Sequence, residues 1–203
     1  IMAIFPGNAA DALAAAVDMQ KEVQEFNQAR QLQNQAPIQI GIGMHTGPLI
    51  MGITGDKDRL DASTISDTVN TASRIESLTK HYKARIILSE ASLGQIVQKE
   101  NFHLHDLGLV QLKGKQESIK VHECFSDHSK NELHKKLDTL SLFNEGVSHY
   151  ISRSFRLANT AFHEVLAINP GDPTASFFFS NTQQIIETGI PENMGGVVEM
   201  LEK

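Results

Sequence analysis

Residues 59–80, RLDASTISDTVNTASRIESLTK, constrain the fold of this chain more than any other stretch. Within one turn the pattern changes from strand to helix. Residues 60–65 read as a strand, Ser66 or Asp67 as a helix cap, and Val69, Ala72 and Ile75 as the apolar stripe of the helix that follows. Asn70, Arg74 and Ser77 fall on a separate face. Residues four apart on a helix are neighbours, so an amide and a guanidinium stand side by side as a set of donors suited to an anion.

The rest of the chain alternates strands, helices and hairpins. Residues 1–5 are apolar and end at Pro6-Gly7, which predicts a strand closed by a turn. Asn8 caps a helix to about Arg30, with Ala12, Ala16, Met19, Val23 and Phe26 as its apolar stripe. A polar loop follows. Ile38, Ile40 and Ile42 alternate with Gln39, Gly41 and Gly43, so residues 37–45 read as a strand. Residues 46–48 form a turn, 49–54 a second strand and 55–58 a hairpin-like tip. Beyond the 59–80 block come a strand at 84–88, a short helix at 90–98, and strands at 102–105, 110–112 and 119–125. This mixture predicts an α+β class rather than a strict βαβ series.

Composition shifts at residues 126–132, SDHSKNE, which read as a polar linker. It divides the chain into 1–126 and a helical tail, 127–203. Gly146, Phe155, Ala158, Phe162 and Pro170 fall at the spacing of one tetratricopeptide-type helical hairpin. Tyr150 is one place late for the usual aromatic, and Arg153 stands where a small turn residue is common. Residues 173–188 predict a third helix, and 189–203 are poorly patterned. One hairpin plus one helix is too little for a free-standing solenoid. The tail is therefore expected to pack on the first part or to extend a partner's surface.

A net charge of -6 argues against nucleic-acid binding, which asks for a basic face. Cys124 is the single cysteine, so no intrachain disulfide is possible, and a cytoplasmic setting is the expectation. No apolar run approaches the ~20 residues of a membrane span. The opening IMAIFPG has no basic region of the kind that starts a signal peptide.

The motifs MAIFPGNAADAL, IGIGMHTGPLIMG, the 59–80 block with V-N-x-A-S-R-x-E, and LKGK at 112–115 occur in order. Together they resemble the class III nucleotidyl cyclases over residues 1–125. The resemblance implies a ferredoxin-like catalytic domain, a mixed sheet with helices packed on it, followed here by a small all-α helical segment. It implies cyclisation of a nucleoside triphosphate, with Asn70 orienting the ribose, Arg74 stabilising the α-phosphate and Lys113 holding the terminal phosphates. Ser63 stands where the family reads the base. A serine hydroxyl resembles Thr in function and Cys in shape, so it leans to ATP, with GTP as the alternative. Ser66 replaces the usual glycine and Ala62 the usual aromatic.

The family's metal-binding aspartates and base-reading lysine are expected upstream of Ile1, so Mg²⁺ or Mn²⁺ would be held there and no metal ligand is assigned in this chain. The polypeptide alone is expected to be inactive, with its site completed across a homodimer. Upstream domains would decide whether the parent protein is membrane-attached. A non-catalytic binding or regulatory module, with a protein partner at the helical tail, is the alternative of a different class.

Other residues have plainer readings. His103 and His105 share a strand face, and without a third ligand they are expected on an exposed face. His45 is expected to be structural. Asp56, Asp58 and Asp61 read as a solvated tip, and Lys115 as a solvated turn residue. Cys124 reads as buried filler. Phe177, Phe178 and Phe179 read as helix-packing core, with one ring left facing away from any single stripe as a hint of a docking surface.

Overall fold

The computed structural model describes residues 1–55, 60–112, 117–189 and 197–199; at 53–55, 60–65 and 199 the backbone alone is described. Asp56, Asp58, Lys113 and Lys115 lie outside the described residues, as do the side chains of Asp61 and Ser63.

Helix α1, Ala9–Leu32, starts where the sequence places it: the Asn8 side chain accepts from the Ala10 amide at 2.9 Å. Its buried face differs from the expected stripe. Leu13, Ala16, Val17 and Gln20 point inward, whereas Met19 and Phe26 are exposed. Polar amides hold the inward position because they satisfy a neighbouring backbone. Gln20 Nε2 donates to the carbonyls of Ile40 (2.9 Å) and Arg85 (3.2 Å), and Asn27 exchanges two 2.7 Å bonds with the backbone of Ile38. This also shortens the strand expected at 37–45. Its first half is bonded to α1 side chains, and only β1, Ile42–Met44, joins a ladder.

The main sheet is mixed, in the order β1, β4 (Ile86–Ser89), β6 (Ser118–Cys124), β5 (Leu104–Gln111), β7 (Val197–Glu199). Strands β1 and β4 are parallel, β4, β6 and β5 antiparallel, and β5 and β7 parallel. The two strands expected at 102–105 and 110–112 are one strand with a bulge between Asp106 and Gly108. Gly108 takes φ 84°, a left-handed conformation that suits glycine, and its amide donates to Asp106 Oδ1 at 2.7 Å. Among the described residues no ladder includes residues 1–5. The stretch expected as a strand there has no regular structure, with Ile4 and Phe5 exposed, because an apolar run makes a strand only where a neighbour pairs with it. Strands β2, Ile50–Gly55, and β3, Leu60–Ile65, form a separate hairpin.

The two sheet faces carry different helices. Ile86, Leu88 and Cys124 face α1 and the short α3, Glu90–Gly94. Ile87, Val121 and Leu107 face the other side. There they meet α2, Asp67–Tyr82, and the three C-terminal helices α4, Lys130–Ile151, α5, Phe155–Ile168, and α6, Pro173–Thr188. Local signals set these boundaries: a Ser129/Glu132 capping box opens α4, and Asp172 with Pro173 opens α6. Helices α4 and α5 approach closely at Gly146, where a Cβ would lie 2.8 Å from the Phe162 ring. Arg153, in the turn between them, takes φ 62°, which is why a small residue suits that place.

Two expectations about side chains are corrected here. His105 is buried, because α4 covers that strand face; His103 is half-buried and stacks on Phe125. None of the three phenylalanines is left exposed. Phe178 is buried, Phe177 lies against Tyr82 of α2, and Phe179 lies near His163 of α5. Cys124 is buried, and burial pushes its thiol up to about 11.

Candidate active site on helix α2

Helix α2 is fixed at both ends and along one side. Ser66 caps it, accepting from the Thr68 amide at 3.0 Å. The Ser66 and Thr68 hydroxyls both donate to the Pro48 carbonyl at 2.7 Å, stapling the first turn to the loop before β2. Serine in place of glycine is thereby explained: it supplies both a cap and a tether. Along its length α2 lies directly on β1. A Cβ at Gly43 would sit 2.1 Å from the Glu76 amide nitrogen and 2.6 Å from the Ala72 carbonyl, so only glycine admits this approach.

Thr71, Ile75, Leu78 and Tyr82 face inward. Of the expected stripe, Ile75 is fully buried, and Val69 and Ala72 are half-buried. Asn70 is exposed and Arg74 half-buried. Nη1 of Arg74 is enclosed and, among the described residues, has no hydrogen-bond partner. A guanidinium stays protonated in proteins. A buried donor of that kind without an acceptor costs about 1–3 kcal/mol. The arrangement is thus unsatisfied as it stands and is suited to an anion arriving from outside the chain, with the Asn70 amide one turn away.

The other expected site residues are placed less fully. Ser63 lies on β3 opposite Gly52, with its side chain outside the description, and Lys113 lies outside the described residues. Asn70 and Arg74 thus stand one turn apart on α2, and the side chains of Ser63 and Lys113 lie outside the described residues. His45 contacts the Ser89 hydroxyl through Nδ1 at 2.8 Å, and Thr46 Oγ1 donates to Ser92 Oγ at 3.0 Å, so the loop before β2 is anchored to α3. Among the described residues no three His, Cys, Asp or Glu side chains converge to hold a metal, and no helix is long and apolar enough to cross a membrane.

Sequence reasoning missed a buried charged cluster on the same side of the sheet. His105 and Glu123 are cross-strand partners whose side chains bond to each other. Lys136 Nζ of α4 donates to both Glu123 oxygens at 2.9 Å, and Thr174 Oγ1 of α6 donates to Oε2 at 3.1 Å. Asp172, which caps α6, lies 3.9 Å from Lys136. Burial alone would raise the Glu123 carboxyl, but Lys136 and His105 beside it hold it well below its ordinary range. Burial lowers His105, with the Glu123 carboxylate opposing part of that shift. A glutamate at 123 on the same strand face as Val121 and Phe125 was the available signal, since a charge there needs a buried partner.

The fold and these motifs have counterparts in known proteins. An adenylate cyclase of Anabaena cylindrica is 40% identical over 129 residues, which are 61% of this chain and 26% of that protein. A terminal-differentiation-specific adenylate cyclase of Dictyostelium discoideum is 27% identical over 194 residues, 93% of this chain but 9% of that protein. The chain thus spans about a quarter or less of the length of these relatives. The crystal structure of the adenylyl cyclase CyaB from P. aeruginosa superposes with a TM-score of 0.50 at 25% identity, covering 62% of this chain and 63% of that one. The family model for the adenylate and guanylate cyclase catalytic domain matches residues 2–125. That match takes in the whole of the main sheet except β7, together with the helix that carries Asn70 and Arg74, and the chain belongs to this family.

Proposed function

We propose that residues 1–126 belong to the catalytic domain of an adenylate cyclase, that the full-length protein converts ATP to 3′,5′-cyclic AMP and pyrophosphate, and that this polypeptide alone is inactive. The observation that carries this reading is the enclosed, unpartnered Arg74 Nη1 beside the exposed Asn70 amide. In the reaction the ribose 3′-oxygen bonds to the α-phosphorus, and the bond from that phosphorus to the bridging oxygen breaks. Pyrophosphate leaves with the electron pair, and the hydroxyl proton passes to solvent. Asn70 orients the ribose. Arg74 donates to the α-phosphate oxygens, where charge is redistributed in the transition state. Lys113 holds the terminal phosphates, and the Ser63 hydroxyl reads the base. A divalent metal, Mg²⁺ or Mn²⁺, supplies charge neutralisation to this chemistry in the family. The described residues offer no ligand set for it.

The site is shared across a homodimer in this reading. Ile50 and Met51, exposed on β2, supply apolar surface for a second copy. Helices α4 and α5 form one tetratricopeptide-like hairpin behind this domain. The test is Arg74→Ala in the full-length protein. The expected result is a loss of about 10²–10³ in kcat, with kcat/KM falling equally. A rise in KM with kcat intact would overturn the role given to Arg74. Steady-state rates with ATP against GTP test the reading of Ser63.

A further inference from the structure

Asn70, Arg74, Ser77 and His81 follow one another on α2 at steps of four, three and four, so they form one stripe of the helix. At the far end of that stripe α6 touches the helix, against the exposed His81 and the buried Tyr82 beside it. The Phe177 ring of α6 lies 4.7 Å from the His81 ring and 5.0 Å from the Tyr82 ring, both edge-on. Phe178 adds a contact to Tyr82 at 5.7 Å. Helix α6 is itself pinned to the sheet. Thr174, three residues before Phe177, donates to the buried Glu123 carboxylate, and Asp172 caps the helix through the amides of Thr174 and Ala175. A continuous set of contacts therefore runs from β6 through α6 to the end of the helix bearing Asn70 and Arg74.

We propose that Phe177 is a positioning residue for the cyclase site, setting the placement of Asn70 and Arg74 by clamping α2 at His81 and Tyr82. The C-terminal helices then form part of the catalytic unit. The first turn of α2 is stapled by Ser66 and Thr68 to Pro48, and its middle lies on Gly43. Its last turn has the Phe177 clamp as its cover. With the first turn held at Pro48, loosening the last turn lets the helix turn about its own axis, which swings the Asn70 and Arg74 side chains together, and an error of about 1 Å in a reacting group can cost about 10²-fold in rate. Such a displacement reduces transition-state stabilisation more than ground-state binding, so it is read in kcat rather than KM.

This inference rests on the roles proposed for Asn70 and Arg74, and its test separates the two. In the full-length protein, Phe177→Ala is compared with Phe179→Ala, whose ring faces His163 on α5 rather than α2. Phe177→Ala is expected to lower kcat about ten- to hundredfold with KM changed less than about twofold. Phe177→Tyr, which restores the ring, is expected to recover most of it. Phe179→Ala is expected to lower the melting temperature while leaving kcat near that of the parent protein. Equal kcat losses in the two alanine variants, tracking their thermal destabilisation, would overturn the proposal, as would an unchanged kcat in Phe177→Ala. If Phe177→Ala does not fold, Phe177→Leu takes its place with the same outcomes. Arg74→Ala is measured alongside: if it retains full kcat the reading of the site fails, whereas loss there with an unaffected Phe177 variant sinks this inference alone.

Discussion

Tyr82 is fully buried at the end of α2, and its hydroxyl has no hydrogen-bond partner. Burial, the largest cause, pushes its pKa far up, so it stays protonated. A buried donor of this kind is a liability of about 1–3 kcal/mol, and deleting the oxygen removes the liability while keeping the ring contacts to Phe177 and Phe178. Tyr82→Phe is therefore expected to be neutral or stabilising by about 1 kcal/mol in urea unfolding. A loss of more than that would mean the hydroxyl has a bridging water or a partner on the assembled protein. Arg74 is the instructive contrast. Its unpartnered nitrogen sits on the face that carries Asn70, whereas the Tyr82 hydroxyl oxygen is buried in the core. Sequence spacing placed Asn70 and Arg74 side by side because i and i+4 is a local relation. It could not show that either Tyr82 or Arg74 lacks a partner, since that depends on groups far away in the chain.

At the level of elements, the Glu123 cluster joins β5, β6, α4 and α6. Removing one member of a buried pair leaves a charge without compensation and costs about 3–5 kcal/mol, while replacing both with apolar groups of similar volume is often neutral. Lys136→Met alone is expected to destabilise by that amount, and Lys136→Met with Glu123→Leu to recover much of it, read as urea midpoints. The cluster also sets a pH dependence. His105 is lowered from its ordinary 6.5, so the fold holds it neutral while the unfolded chain binds a proton. Its stability contribution is complete above about pH 6.5 and is lost as pH falls from there towards the folded value. Burial lowers His128 and His81 in the same direction. Glu123, also lowered, adds a further loss below its ordinary 4.5. Unfolding free energy measured between pH 7 and 5 should fall, and His105→Gln should flatten part of that slope. An unchanged slope would show that His105 is not the group being titrated. The strand period placed His103 and His105 on one face correctly; what it could not supply was α4 lying over it. The same limit explains α1, where Gln20 points inward because it bonds to backbone that no helical wheel contains.

For the whole molecule, the order of motifs made the cyclase family legible from sequence, because its glycines and caps are local requirements of a helix lying on a strand. The relation between the sheet and the C-terminal helices was less legible. The family match ends at residue 125, but the core does not. Leu78, Ile87 and Val121 share one apolar cluster with Phe143, Phe162 and Phe178. The polar stretch that reads as a linker contains the buried Asp127, bonded to Arg85 at 2.9 Å. A core shared across that stretch predicts that sheet and helices unfold together. Phe162→Ala, which empties the centre of the helical layer, is expected to cost about 3–5 kcal/mol. Calorimetry should show a single transition for the parent chain, shifted down as a whole in the variant, with sheet and helix probes moving in parallel. Two transitions, with only the lower one responding to Phe162→Ala, would show that the helices are an independent unit and that the shared cluster does not couple them.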